Sequence, residues 1–317
     1  MSISGNLGDQ RTVDLPQGRV SYRERGTGEP IVFVHGVFTN GDLWRNVVPI
    51  LATRYRCLTP DWPLGSHPEP MRPDADLSTP GLARLVAGFL TALDVDSVTL
   101  VGNDTGGAIC QLVVANSPER VGRLVLTSCD AFEVYPPSPF GFLPLIPMFP
   151  GAMVLLAQTQ RIRALRRLPL AYGRLMHHQP PTAISDSYAR PGLRRRIRRD
   201  TKKVLRGMAK THTLDASTRF TRFVDPTLIA WAEDDLLFPT SLADRLTTAF
   251  PRARRITISG ARTLIGEDQP ERLATAIAAF MHETALTPSI PAHPGDKPNG
   301  ERHHRPPAEI RAPQPAR

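Results

Sequence analysis

Six consecutive residues, Gly102-Asn103-Asp104-Thr105-Gly106-Gly107, set a carboxylate among the small neighbours that a sharp turn demands. The apolar run 97–101 ends just before them, and a helical pattern over 106–116 starts at once. A strand-to-helix turn this tight strains its central residue and exposes its side chain, and small flanking residues relieve the crowding. The helix N-terminus also favours a negative charge, so Asp104 is expected to be a carboxylate aimed at an electrophile. The plainer alternative is a Gly-rich turn whose aspartate caps the helix. Two other turns carry matching chemistry. The apolar run 30–34 ends in His35-Gly36-Val37-Phe38, and the run 227–231 leads into Ala232-Glu233-Asp234-Asp235 before Phe238-Pro239.

In this order and spacing the three turns resemble those of the α/β-hydrolase fold over about residues 20–282. The elbow is similar to the Asp-containing form found in epoxide hydrolases and in haloalkane or haloacid dehalogenases. The resemblance implies Asp104 as nucleophile, Asp235 as supporting acid with Asp234 as the next choice, and the amides of Val37 and Thr105 as an oxyanion hole. His35 and Gly36 then shape the loop, and His35 is not expected to act as acid or base. Haloalkane dehalogenases usually follow the nucleophile with a tryptophan that holds the halide; Thr105 stands there instead. Epoxide hydrolases use cap tyrosines, for which Tyr172 and Tyr188 are candidates, with Tyr135 near the start of the cap. The resemblance therefore leans to an epoxide over a halide or an ester-like compound. In each case the substrate is expected to be small and largely apolar, with no cofactor and no metal.

One position departs from the pattern. The family's histidine follows the last strand, just before a Glu-Asp-x-Pro-Glu stretch; here Glu267-Asp268-Gln269-Pro270-Glu271 is present but Thr263 holds the histidine's place. An aspartate of ordinary pKa, about 3.9, is ionised near neutrality and attacks without a base. Hydrolysing the resulting ester needs an activated water, a contribution of about 10²–10⁴-fold in rate. Threonine cannot take that proton. Either another histidine serves, with His67 better placed than His177 and His178, or the chain binds or reacts once without turnover.

The surrounding elements are those that would position these turns. Strand-like runs at 11–15, 20–24, 30–34, 56–60, 97–101, 123–127, 227–231 and 255–258 alternate from the third onward with helical patterns at 43–54, 81–93, 106–116, 241–250 and 269–282. That alternation predicts a doubly wound, mostly parallel α/β sheet, whose ligands sit at the carboxyl ends of the strands. Asp268, three residues before Glu271, reads as the N-cap of the last helix. The expected layout is a flexible N-terminus (1–10), core (11–130), an inserted helical cap (131–224), core again (225–283) and a disordered tail (284–317) with eight prolines.

The chain has 317 residues, 41% hydrophobic, enough for one large core with an insert. Its net charge of +9 is uneven: residues 161–222 hold 17 Lys/Arg against three acids, so the rest is net acidic. Such a patch attracts anionic partners. Nucleic-acid binding is not expected, since aromatic side chains are nearly absent from the basic stretch; a solvated cap face is the simpler reading, and anionic lipid stays open. No apolar run approaches the ~18 residues of a spanning helix. Cys57, Cys110 and Cys129 are unclustered core residues, and a cytoplasmic location is the default. The histidines at 293, 303 and 304 have no metal-ligand spacing. Oligomeric state is open.

Overall fold

The computed structural model describes residues 3–285. The tail beyond 285, with His293, His303 and His304, lies outside the described residues. Eight strands form one sheet: β1 Asp9–Leu15, β2 Gly18–Arg25, β3 Pro30–Val34, β4 Arg56–Pro60, β5 Val98–Asp104, β6 Val121–Cys129, β7 Thr227–Ala232 and β8 Ala253–Ile258, in the order β1-β2-β4-β3-β5-β6-β7-β8. Strand β2 runs antiparallel to β1 and β4, and all other pairs are parallel.

Side chains along the buried strands alternate between two apolar layers. Val32, Val34, Leu124, Leu126, Ile229 and Trp231 face one layer. Ile31, Phe33, Val125, Leu228 and Ala230 face the other. The first layer is closed by helices Thr79–Ala92, Thr105–Asn116 and Thr240–Ala249, whose Leu85, Phe89, Ile109 and Leu246 are buried. The second is closed by Pro270–Glu283 through Leu273, Ile277 and Phe280. Each such side chain contributes about 1.5–3 kcal/mol relative to exposure. Because β4 and β5 flank β3, the chain reverses direction of winding there, and the crevice at the carboxyl ends of β3 and β5 is the natural ligand position.

Several expectations change in detail. Residues 3–7 form a 3₁₀ turn and Leu7 is buried, so the chain from 3 to 10 is tied to the body, apolar contact outweighing its polar composition. The helix expected over 43–54 splits into Gly41–Trp44 and Val48–Leu51, since Pro49 fits only a first turn. Asp268 does not cap the last helix. Gln269 holds that position, and Asp268 instead accepts backbone N–H groups of His177, His178 and Arg262. The segment between β6 and β7 contains only helices and 3₁₀ turns, but its last part belongs to the body. Ala216, Phe220 and Phe223 join the first apolar layer, with Phe220 stacked on Phe250 at 4.4 Å.

Candidate active site

Strand β5 passes into helix Thr105–Asn116 with no intervening residue, and the turn's strain falls on Asp104 itself, at φ 53° and ψ −131°. The glycines serve another purpose than conformational freedom. A Cβ on Gly106 would lie 2.1 Å from the Val34 carbonyl oxygen, and one on Gly107 2.2 Å from the Cys129 Cβ. They let the elbow press against β3 and β6. Asn103 secures the other side: its amide donates to the carbonyls of Thr127 at 3.0 Å and Thr263 at 2.7 Å. Asp104 is 7% exposed. Burial pushes its carboxyl up to about 7, with the Thr105 amide opposing and the Asp235 charge adding to the rise. The ordinary acidity expected from sequence is thus overturned by desolvation.

The loop after β3 is held by His35. The Trp62 amide donates to its Nε2 at 2.9 Å, which leaves the proton on Nδ1 to donate to the Gly36 carbonyl at 2.9 Å. Burial lowers its pKa to about 4, so the ring is neutral and both nitrogens are occupied by backbone. A Cβ on Gly36 would stand 2.1 Å from Asp104 Oδ2, so only glycine lets the loop approach the carboxylate. The Phe38 amide is used by the Leu64 carbonyl and the Thr39 amide by that of Gly36. Val37 and Thr105 line the same cavity as Asp104.

At the third turn Asp235 Oδ1 accepts from the amides of Leu237 (2.8 Å) and Phe238 (3.0 Å) and from Thr263 Oγ1 (2.9 Å). Its Oδ2 is buried with no hydrogen-bond partner among the described residues, and burial raises its pKa. Asp234 turns outward to His177 Nε2 at 3.1 Å, which removes it from the site.

Sequence reasoning missed Asp130, the residue immediately after β6, which is 1% exposed and lines the cavity with Asp104. Neither of its carboxylate oxygens has a hydrogen-bond partner among the described residues. Burial and then the Asp104 charge push its pKa well above the usual range, with the nearby Thr105 hydroxyl opposing. Its signal was positional: an acid at the same sheet edge as Asp104 and Asp235. The cavity holds about 110 Å³. Its floor is Asp104, Thr105 and Asp130, and its apolar walls include Phe140, Leu143 and Leu156 from the insert.

Residues 29–270 match the family model for the alpha/beta hydrolase fold. The chain belongs to the α/β-hydrolase fold family. It is similar to haloalkane dehalogenase 2 of Mycobacterium tuberculosis, 27% identical over 277 residues, covering 85% of this chain and 93% of that one. It is also similar to the 2-hydroxy-6-oxononadienedioate/2-hydroxy-6-oxononatrienedioate hydrolase of Cupriavidus pinatubonensis, 27% identical and covering 78% and 86%. The solved structure of the epoxide hydrolase CorEH superposes with a TM-score of 0.72 at 17% identity, covering 87% and 99%.

In this α/β-hydrolase the tyrosines expected to serve an epoxide have their hydroxyls engaged by protein groups, although Tyr172 lines the cavity. Tyr172 donates to the Phe38 carbonyl at 2.7 Å, and Tyr188 to Glu267 Oε1 at 3.0 Å, itself paired with Arg45. Thr79 donates to the Gly207 carbonyl, so the Tyr135 hydroxyl donates to Thr79 Oγ1 at 2.8 Å. The replacement histidines fail for a similar reason. His67 is buried against Asp200 of helix Arg195–Arg206, Nε2 to Oδ2 3.4 Å, where it fastens the insert to the body. His177 and His178 sit outside, beside Asp234 and Asp268. Among the described residues, no histidine lines the cavity.

Proposed function

We propose that this chain is a hydrolase of small, neutral, largely apolar molecules, in which Asp104 attacks an sp³ carbon and Asp130 holds the proton that the missing histidine would otherwise manage. The observation that carries this reading is the pair of carboxyl groups, Asp104 and Asp130, buried on the floor of one apolar cavity, both raised by burial and Asp130 raised further by the charge of Asp104. Two such groups share one proton, since both cannot ionise in a medium of low dielectric.

An epoxide suits that arrangement best. Ionised Asp104 opens the ring, forming a C–O ester bond as the ring C–O bond breaks, and neutral Asp130 gives its proton to the departing oxygen. Asp130, now a carboxylate of high proton affinity, takes a proton from water as the hydroxide adds to the Asp104 ester carbonyl. The Val37 and Thr105 amides would hold the oxyanion. Collapse expels the alkoxide, which takes a proton from Asp130 to become the diol, and the re-formed Asp104 carboxyl carries the proton that the pair shares. The pair ends with one proton, as it began. A halide substrate would need N–H donors for the leaving ion, and Thr105 supplies none from its side chain. Similarity to a haloalkane dehalogenase keeps that chemistry as the comparison substrate.

A second reading has its own observation. Thr263, which the sequence resemblance puts where the base is expected, donates to Asp235 at 2.9 Å, an arrangement suited to a protein that forms the ester and stops. Styrene oxide, with a haloalkane of similar size in parallel, separates the two. Repeated diol formation, with an intact-mass adduct on Asp104 accumulating in Asp130→Asn, supports the dyad. An adduct that persists in the wild type supports the second reading. No diol and no adduct with either compound would sink both.

A further inference from the structure

The outer face of the insert carries two features that the reaction does not use. Met148, Phe149 and Val154, which line one depression, are 67, 65 and 44% exposed. Single exposed apolar residues are ordinary, but a contiguous set marks an interaction surface. Beside them runs helix Arg195–Arg206, which buries Ile197, Thr201, Val204 and Leu205. Its other faces bear five arginines, Arg195, Arg196, Arg198, Arg199 and Arg206, with Lys202 and Lys203. Its one acid, Asp200, is buried and paired with Arg199. Met148, Phe149 and Val154 line one shallow depression with Arg195, Lys202 and Arg206, so cations and apolar groups share a face. Arg206 also donates to the Pro147 carbonyl at 3.2 Å.

We propose that this face docks on the surface of an anionic lipid bilayer, with Met148, Phe149 and Val154 in the acyl boundary and Arg195, Lys202 and Arg206 at the headgroup phosphates. Such a partner satisfies both halves of the patch at once. A nucleic acid would use the cations and leave Met148 and Phe149 in water. A second copy in a two-fold contact would set this helix's cations against their own kind. No helix among the described residues is long and apolar enough to cross a membrane, so the attachment is peripheral. Phe142, in the same 3₁₀ segment as Leu145 and Met148, is 41% exposed and also lines the cavity. An apolar compound dissolved in the bilayer would thus meet the cavity rim directly.

The test uses the full chain and reads binding alone, so it stands apart from the chemistry of Asp104. Co-sedimentation is measured with vesicles of phosphatidylcholine and of phosphatidylcholine mixed with phosphatidylglycerol, across a salt series. The expected result is salt-sensitive partitioning onto the mixed vesicles. It falls at least about ten-fold in Arg195→Glu/Lys202→Glu, and comparably in Met148→Glu/Phe149→Glu, with far-UV circular dichroism unchanged. Absence of partitioning overturns the proposal. So does a loss confined to the charge variant with equal binding to duplex DNA, or a dimer in sedimentation velocity that Phe149→Glu dissolves.

Discussion

Asp104 occupies a backbone conformation that a non-glycine residue adopts at a cost of about 1–3 kcal/mol, and its carboxyl is raised to about 7 by burial. Because the folded pKa lies above the unfolded one, the folded chain holds the proton more tightly between about pH 4 and 7, and stability falls as pH rises through that window. Asp104→Asn should abolish adduct formation. It should also stabilise the fold at pH 8 by roughly 2–4 kcal/mol, a gain that shrinks toward pH 5 in denaturant titrations. A gain independent of pH would contradict the burial argument. In the wild type, single-turnover adduct formation should increase with pH through about 7. Thr263 is a contrasting case, since it touches Asp235 and not the cavity. Thr263→Ala should cost about 1–2 kcal/mol and leave the adduct rate within a few-fold. A larger rate loss would draw Thr263 into the machinery. Asp104 and Asp235 were legible from sequence because turn glycines and strand ends announce them. Asp130 was not, because a lone acid after an apolar run has no local mark, and its importance comes from burial beside another acid.

At the scale of elements, the sheet could be read almost strand by strand, since buried parallel strands leave apolar runs of the right length and their turns carry Gly and Asp. β3 and β4 fall on the expected residues. β5 extends to Asp104 itself, because the elbow begins inside the strand's hydrogen-bonded register. The insert was not legible in the same way. Its tyrosines look free in sequence, yet each hydroxyl is bound by a carbonyl, a hydroxyl or a carboxylate tens of residues away. Long-range pairing of that kind leaves no periodicity to read. The close approach of the β3 loop to the elbow is an element-level constraint with a sharp test. Gly36→Ala would bring a Cβ to 2.1 Å from Asp104 Oδ2 and 2.7 Å from its Cγ, so the carboxylate must move. We expect adduct formation to fall by at least about 100-fold, since roughly 1 Å of displacement is costly to a preorganised attack. An unchanged rate would mean that the loop yields and the carboxylate does not.

Across the whole molecule, charge is arranged in opposite senses inside and out. The insert's outer face is strongly cationic, whereas the cavity floor is built from Asp104 and Asp130, with Asp235 close enough to affect Asp104. A positive exterior would draw anions toward the molecule by long-range attraction, screened within about 8 Å at physiological salt. An anion that entered would then face carboxyl groups across a few ångströms of poorly screening apolar wall. With an effective dielectric near 20, one such contact at 4 Å opposes binding by about 4 kcal/mol, far more than steering returns. The basic face is therefore ill suited to delivering a charged substrate, which separates it from the reaction and fits a role in surface attachment. The consequence can be measured on one scaffold. Styrene oxide should react, while its para-carboxylate, close to it in size, should form adduct at least about 100-fold more slowly at low salt, with the gap narrowing below pH 5 as the added carboxylate takes up its proton. Faster reaction of the carboxylate than of the neutral epoxide would mean that the cations outside reach the cavity, and that the floor is less acidic in effect than its residues imply.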